Sequence, residues 1–247
     1  MRLFDPAAAE YDAARPTYPD GVFDLLDSLV GGLPGKVVAD GGAGTGVATR
    51  QLLDRGAWVI PYDPGPAMLG RAIERTPKLP VVVADAAQVP IRSSSVDPVC
   101  FAQSWHRVDQ ALATSEAGRV LRSDGYWTAW WSHPWADAEA WFDEYFSVIE
   151  KRCAGASRHQ RDVDWCSAAV AASSAFDEAR RHIVAWDRRV AIEEWLTDLR
   201  SHSYVIDLPA PDRQSLLAEV SAIIRRRFGA ELMVVPYQTR VWVARRR

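Results

Sequence analysis

The sequence predicts a doubly wound α/β fold built on a mostly parallel, seven-stranded sheet. Two observations lead to this prediction. Short apolar segments alternate with helical patterns along the first half of the chain, which is typical of a parallel sheet with helices on both faces. A glycine-rich turn separates the first of these segments from the helical pattern that follows it. The 247 residues are sufficient for one such domain.

The elements of the first half follow from apolar periodicity and from the positions of glycine and proline. They are, in chain order, a helix over 20–30 capped by Asp20, a strand over 36–40, a helix over 46–55, a strand over 57–62, a helix over 66–75, strands over 80–84 and 97–103, a helix over 110–121 and a strand over 125–131. The unbroken valine run 81–83 predicts a strand that is covered on both faces.

The alternation ends after Trp131, and residues 133–180 are predicted to be a helical, aromatic-rich insertion. The pattern resumes with a strand over 182–186 and helices over 193–201 and 212–228, the last of which has the clearest apolar face. Residues 232–243 are predicted to be two short strand pieces hinged at Pro236, because proline removes a ladder donor. These segments complete the predicted sheet.

The composition excludes several classes of partner. The net charge is −3, so there is no basic footprint for nucleic acid or for an anionic membrane. No apolar stretch reaches the ~18 residues of a membrane span, and the N-terminus lacks a signal-peptide pattern. The three cysteines follow no disulfide or metal-ligand spacing, which indicates a reducing compartment and no metal site. We therefore expect a cytoplasmic protein.

The segment 37–46, V-V-A-D-G-G-A-G-T-G, carries the strongest chemical signal. A strand ends at Asp40, a glycine-rich turn follows and a helix begins, so backbone can approach a ligand closely and free N–H groups can face it. In a dinucleotide fingerprint counted from Gly42, the third glycine would fall at position 47, which is Val47. The turn therefore argues against a nicotinamide dinucleotide.

Two further acids end predicted strands. Asp63 ends the second, where a carboxylate can accept both hydroxyls of a ribose, and Asp85 ends the third, where a carboxylate can receive an adenine amino group. Together with Asp40 they line the carboxyl edge of the sheet, where open α/β sheets bind ligands.

Short motifs continue this pattern, in order, through nearly the whole chain. They are Y-D-A-A-R-P-T-Y-P at 11–19, D-G-G-A-G-T-G at 40–46, Y-D-P-G-P-A-M-L at 62–69, A-D-A-A at 84–87, A-Q-S-W-H at 102–106 and S-H-S-Y at 201–204. On these motifs the sequence resembles the class I S-adenosylmethionine-dependent methyltransferases, which have a Rossmann-like fold. Within that class it resembles the small-molecule family called type 11, with a likeness to trans-aconitate methyltransferases. The resemblance implies S-adenosyl-L-methionine as cofactor and S-adenosyl-L-homocysteine as product.

The resemblance also implies which residues hold the cofactor. The turn residues would pass under its methionine half, those after the second strand would hold ribose and adenine, those after the third would face the adenine edge, and one after the fourth would lie by the sulfonium. In that order they are Gly42, Ala43, Gly44, Asp63, Pro64, Met68, Asp85, Ala86 and Gln103. Asp40 either touches the ligand or only orients the glycine turn.

The sequence departs from the family pattern at a few positions. Gly41 stands where a bulky aliphatic residue is usual, which should loosen that strand end, and Pro61 and Pro98 fall in strands where a ladder donor is normally needed. These departures keep open a methyltransferase fold that binds the cofactor without methylating, as a cyclase or a binding partner. A nicotinamide-dependent oxidoreductase is a further alternative.

The candidate catalytic and acceptor-binding residues lie near the fourth strand and at the N-terminus. His106 is predicted to be a general base for a hydroxyl or amine acceptor, or else it only hydrogen-bonds its loop. Arg107 would hold a carboxylate acceptor, which needs no base. Trp105 either walls the acceptor pocket or packs in the core. Tyr11, Arg15 and Tyr18 form a lid that orders over the ligand, or else a surface segment that packs on the first helix.

The predicted reaction is methyl transfer to an O, N or C atom of a small-molecule acceptor, by a monomer or homodimer with no nucleic-acid or membrane partner. The single domain of 1–247 is divided into a lid and first helix over 1–34, a cofactor-binding half over 35–132, the helical insertion over 133–180 and the C-terminal part of the sheet over 181–247.

Overall fold

The apolar segments of the chain pair into one sheet of seven strands in a computed structural model that describes residues 17–156, 167–229 and 232–247. The strands are β1 (Val37–Gly41), β2 (Trp58–Asp63), β3 (Val82–Val83), β4 (Val96–Ala102), β5 (Leu121–Pro134), β6 (Arg180–Ala191) and β7 (Leu232–Arg245). Their order is β3-β2-β1-β4-β5-β7-β6. The first five are parallel, and β7 is antiparallel to both β5 and β6. The predicted fold class is confirmed.

The helices in the described residues are α1 (Asp20–Val30), α2 (Val47–Asp54), α3 (Pro66–Arg75), α4 (Gln110–Val120), α5 (Ala140–Arg152), α6 (Ala168–Ala171), α7 (Ile192–Arg200), α8 (Ser203–Ile206) and α9 (Ala210–Phe228), with a 3-10 turn over Trp105–Arg107. Six of them lie close to bounds that glycine, proline and apolar stripes predict; α5 and α6 fall within the predicted helical insertion, and α8 was not predicted. Pro66 occupies the first turn of α3, where its missing N–H costs nothing. Gly31 ends α1 in the left-handed conformation, with φ of 68°.

The helices pack on both faces of the sheet, so the apolar core has two layers. On one face, α1 and α2 cover Trp130 of β5 and Val241 of β7, and this layer continues into a second apolar cluster among α5, α7 and α9. On the other face, Trp127 of β5 and Trp242 of β7 pack against α4. The structure includes no helix, within the ranges given above, that has both the length and the apolar character needed to cross a membrane.

Two local predictions about element ends and faces are wrong. Asp20 does not cap α1, because Pro19 holds the cap position and Asp20 instead forms an ion pair with Arg55. The valine run over 81–83 is not covered on both faces, since β3 is a two-residue strand at the edge of the sheet and Val83 is 60% exposed.

The predicted hinge at Pro236 is also wrong, because β7 runs unbroken through it. The Pro236 carbonyl accepts a hydrogen bond from the Trp135 N–H at 2.7 Å, on the side away from β6. The proline nitrogen faces that same side, at the point where β5 ends at Pro134, so no ladder bond is lost. Pro98 similarly lies beside a shift in the register between β4 and β5.

Candidate active site

The glycine turn between β1 and α2 has the backbone that its sequence predicts. Gly42, Gly44 and Gly46 have φ of 63°, 58° and 80°, a region that side-chain-bearing residues rarely adopt. A Cβ on Gly42 would lie 2.5 Å from the Cβ of Ser104. The turn therefore requires glycine at position 42 for two reasons, its backbone angle and the adjacent β4 loop.

The Asp63 carboxylate lies at the carboxyl end of β2 and is bonded on both oxygens. Its Oδ2 accepts a hydrogen bond from the Gly44 N–H at 3.0 Å, and its Oδ1 accepts one from the Gly65 N–H at 2.7 Å. The first of these bonds joins β2 to the glycine turn. A carboxylate has about four acceptor positions, so one such group can accept hydrogen bonds from several donors at once.

Asp40 is fully buried at the end of β1. Its Oδ2 accepts a hydrogen bond from the Thr49 hydroxyl of α2 at 2.5 Å, and its Oδ1 has no hydrogen-bond partner. The pKa of Asp40 is raised to about 7, mainly because burial disfavours the charged carboxylate; the Thr49 hydrogen bond opposes this effect, and the nearby Asp63 adds a smaller upward contribution. Asp40 thus ties β1 to α2 below the glycine turn.

Gly41 does not loosen the end of β1. A Cβ there would lie 2.5 Å from both the hydroxyl of Tyr62 and the ring of Phe101. These two rings pack edge to face with centroids 6.5 Å apart and occupy the space in which a bulky aliphatic side chain would otherwise lie. The expectation was wrong because the compensating side chains come from β2 and β4, which the sequence around Gly41 does not reveal.

The remaining predicted cofactor residues are distributed along the same edge. Met68 of α3 is buried, and its Cε lies 3.3 Å from where a Cβ on Gly44 would be. Asp85 is exposed, and its Oδ1 accepts a hydrogen bond from the Ala87 N–H at 2.9 Å, so this carboxylate shapes its own turn. Ala86 is buried in the core, whereas Pro64 is exposed.

The loop after β4 is fixed by two hydrogen bonds. Gln103 has a φ of 50°, unusual for a residue with a side chain, and its N–H donates to the Trp130 carbonyl at 2.9 Å. The buried Ser104 hydroxyl donates to the Gly41 carbonyl at 2.6 Å. This loop is thus joined directly to the glycine turn. Sequence reasoning missed Ser104, as it missed Thr49, because neither has a spacing signal of its own.

His106 and Arg107 lie exposed on the short turn that follows. The Arg107 Nε donates to the His106 Nε2 at 3.0 Å, and the His106 ring lies 4.3 Å from the ring of Trp131 of β5, centroid to centroid. In this arrangement His106 is a neutral imidazole that accepts at Nε2. The lone pair that a general base would use is directed at Arg107.

Trp105 packs in the core, which is one of the two alternatives that the sequence left open. The side chain is 1% exposed, and its ring lies 4.6 Å from Phe101 and 4.9 Å from Trp127. Its assignment to an acceptor-pocket wall is therefore corrected. Tyr18 packs on Trp130 and exchanges two backbone hydrogen bonds with the Gln51 side chain of α2, while Tyr11 and Arg15 lie outside the described residues.

Comparisons with known proteins assign the sequence that forms this site to one family. Residues 39–129, which contain the glycine turn, Asp63 and His106, match the family described as methyltransferase domain. An uncharacterized methyltransferase of Mycobacterium tuberculosis is 32% identical over 223 residues, which are 90% of this chain and 85% of that protein.

Solved structures share the fold. A structure from Anaeromyxobacter dehalogenans, described as a type II methyltransferase, is 23% identical, covers 94% of this chain and 97% of its own, and has a TM-score of 0.70. A phosphoethanolamine N-methyltransferase of Haemonchus contortus, solved with S-adenosylhomocysteine, is 16% identical, covers 100% of this chain and 58% of its own, and has a TM-score of 0.56. The chain belongs to the methyltransferase family, and it is an S-adenosylmethionine-dependent methyltransferase with a Rossmann-like fold.

Proposed function

We propose that this protein transfers the methyl group of S-adenosylmethionine to an O, N or C atom of a small-molecule acceptor at the carboxyl ends of β1, β2 and β4. The observation that carries the proposal is the hydrogen bond from the Gly44 N–H to Asp63 Oδ2, at 3.0 Å. It fixes a glycine turn and a ribose-accepting carboxylate in one unit at the edge of the sheet where such folds bind ligands.

The residues present fit this cofactor. The turn at Gly42, Ala43 and Gly44 has no side chain larger than a methyl group, so its backbone can lie against the methionine half. The Asp63 carboxylate stands beside the turn, bonded to the Gly44 and Gly65 N–H groups, and is an acceptor of the kind that ribose hydroxyls need. The cofactor residues that we propose around them are Pro64, Met68, Asp85, Ala86 and Gln103, with Asp40 as a positioning residue below the turn.

When bound, S-adenosylmethionine supplies a methyl group on a positively charged sulfur, which is already reactive toward nucleophiles. The chain therefore has little covalent chemistry to perform. Its contribution is to align the acceptor atom with the methyl group and to keep water away. The loop of Gln103 and Ser104 suits the first task because it is bonded to both β5 and the glycine turn.

His106 is our candidate for the general base. It stands two residues after Ser104, and its ring is positioned by Trp131. To take a proton from a hydroxyl or amine through Nε2, it must first exchange its hydrogen bond with Arg107 for one with the acceptor. A carboxylate acceptor would need no such step, and Arg107 would then bind it. The narrower likeness to trans-aconitate methyltransferases stays a prediction.

The experiment is an acceptor screen that uses S-adenosylmethionine labelled with deuterium in the methyl group. Purified protein is incubated with a library of small acids, alcohols, phenols and amines, and both S-adenosylhomocysteine and labelled products are measured by mass spectrometry. The proposal expects S-adenosylhomocysteine to accumulate in step with one labelled class of product. The contrary result would be tight binding of the cofactor without turnover. If no acceptor in a library that spans these classes yields S-adenosylhomocysteine, methyl transfer to a small molecule is contradicted.

A further inference from the structure

The strand β6 is the last in the sheet and forms one of its edges. It is 12 residues long, contains no proline, and keeps an unbroken register with β7, so no bulge turns it away from a partner. In the described part of the chain, no strand pairs with its outer side. Proteins usually shorten, bulge or cover such an edge, because its backbone groups can pair with another strand.

Pro236 of β7 shows which residues of β6 direct their backbone outward. Its carbonyl accepts the Trp135 N–H on the β5 side, and the two backbone groups of a residue point to the same side of an antiparallel strand. Asp187 lies opposite Pro236, so its own N–H and C=O point away from β7. Every second residue of β6 shares this orientation. These residues are Arg181, Ile183, Ala185, Asp187 and Arg189.

The side chains of these outward-facing residues lie on the exposed face of the sheet. Ile183 is 53% exposed, and Arg181, Ala185 and Asp187 are exposed as well. Arg181 and Asp187 carry opposite charges, and neither forms an ion pair with another described residue. Ile183 and Ala185 lie between them. Along the strand, this face therefore presents a cation, two apolar side chains and an anion, in that order.

This order is complementary to itself. If a second copy of β6 runs antiparallel about a twofold axis at Val184, Arg181 lies opposite Asp187 of the second copy, and Ile183 lies opposite Ala185. Each of these pairs occurs twice. All of them are hydrogen-bonded positions, because the backbone groups of these residues face outward. Opposite charges directly across an antiparallel pair stabilise it.

Neighbouring registers lack this match. An axis at Ala185 would place Arg181 opposite Arg189, and like charges in that position are destabilising. An axis at Ile183 would place Asp187 opposite a residue that precedes β6. On the covered face, the register about Val184 places Arg180 opposite Arg188, whose charge is already neutralised by Asp198, with Arg188 Nη1 and Asp198 Oδ2 2.8 Å apart.

We propose that two copies of this protein pair through the outer edges of their β6 strands, about a twofold axis at Val184, and so form one continuous sheet. The occupant of the edge is a second copy of the chain, because the charges on the strand complement each other in that arrangement. The interface contains neither the glycine turn nor Asp63. The inference therefore goes beyond the proposed function and does not depend on it.

The test is sedimentation velocity of the purified protein over a range of concentrations, with circular dichroism as the check of folding. We expect the wild-type protein to form a concentration-dependent dimer that weakens as salt is added. Asp187→Arg opposes two arginines twice in each dimer and should weaken association about tenfold or more, and Arg181→Asp should do the same by opposing two acids. Combining the two substitutions restores opposite charges and should restore association.

Two further variants separate this interface from any other. Ala185→Pro removes an outward-facing donor and no bond to β7, so it should give a folded monomer. Asp54→Arg makes the same change of charge at the exposed end of α2 and should leave association unchanged.

Three results would overturn the inference. The first is wild-type protein that sediments as a monomer at every concentration, which would leave the edge to a strand of a different protein. The second is a dimer that persists in folded Ala185→Pro, since it must then use another surface. The third is a double variant that associates as weakly as Asp187→Arg alone, because the charges would then not set the register.

Discussion

The backbone N–H of Gly44 donates a hydrogen bond to Asp63 Oδ2 at 3.0 Å, so the glycine turn after β1 and the acid that ends β2 form a single unit. The same carboxylate accepts the Gly65 N–H and so shapes the entry to α3. A ligand that bonds Asp63 is therefore also placed against the turn. This relationship makes cofactor affinity sensitive to either partner.

Replacing Asp63 with alanine should weaken binding of S-adenosylhomocysteine by about tenfold or more, because it removes a charged acceptor and releases the glycine turn. Titration calorimetry measures the affinity, and circular dichroism checks that the variant is folded. Asp54→Ala, which removes an exposed acid at the end of α2, is the matched control and should bind as the wild type does. A folded Asp63→Ala with wild-type affinity would show that Asp63 only shapes the turns.

Replacing Gly42 with alanine should also abolish tight binding. The φ of 63° is strained for alanine by roughly 1–2 kcal/mol, and the added methyl would lie 2.5 Å from the Ser104 Cβ, so the turn or the β4 loop must shift. Thermal shift with and without S-adenosylhomocysteine measures the effect, since a ligand of the native state raises the melting temperature.

Gly70→Ala is the control for that substitution. Gly70 lies within α3, and a Cβ there would meet no atom within 4 Å. Alanine should stabilise the helix by about 0.5–1 kcal/mol and leave binding unchanged. Equal ligand-induced shifts in Gly42→Ala and Gly70→Ala would contradict the close approach of ligand to the turn.

Local pattern was sufficient to predict most of the fold. The alternating apolar segments predicted the strands. Pro66 correctly predicted the start of α3, and Gly31 correctly predicted the end of α1. The predictions failed where an outcome depends on sheet order. Nothing local to the valine run over 81–83 indicates that β3 is an edge strand, and nothing local to Pro236 indicates that β5 ends beside it.

The candidate site was predictable only where its residues belong to a motif. The spacing of the motifs predicted the glycine turn and Asp63 as site residues, and a hydrogen bond joins them in the structure. Ser104 and Thr49 give no sequence signal, because their hydrogen bonds to Gly41 and Asp40 depend on how the β4 loop and α2 pack against the end of β1. Trp105 was ambiguous for a related reason, since the sequence does not show that Phe101 and Trp127 enclose it.

Variants at positions 106 and 107 distinguish the two acceptor chemistries. With a hydroxyl or amine acceptor, His106→Ala should lower kcat by about a hundredfold, because proton removal loses its base. Arg107→Ala should keep kcat, since the Nε2 of His106 is then open to the acceptor. Steady-state kinetics across the pH range measures both. If His106→Ala keeps the full kcat at every pH, His106 is not the general base. If only Arg107→Ala raises KM, the acceptor is a carboxylate that Arg107 binds.

Asp40 should make the folded protein less stable as the pH rises from about 4 to about 7. The folded pKa is about 7 against an ordinary value of 3.8. Between these values the unfolded chain loses the proton while the folded protein keeps it, so the free energy of unfolding falls with rising pH. The loss reaches about 4 kcal/mol at most and is complete above the folded pKa.

Asp40→Asn should remove this dependence, because the amide is neutral at every pH and can still accept the Thr49 hydroxyl. Urea unfolding at several pH values measures it, with the exposed Asp54→Asn as control. We expect the difference in stability between Asp40→Asn and wild type to increase in favour of the variant as pH rises to 7. A difference that is constant across that range would show that Asp40 ionises normally when folded.

The most direct test of the central claim is titration of the purified wild-type protein with S-adenosylhomocysteine and, separately, with NADH. Because the glycine turn is bonded to Asp63, we expect saturable, one-to-one binding of S-adenosylhomocysteine. We expect titration calorimetry to detect no heat of binding for NADH. Binding of NADH without binding of S-adenosylhomocysteine would contradict the account.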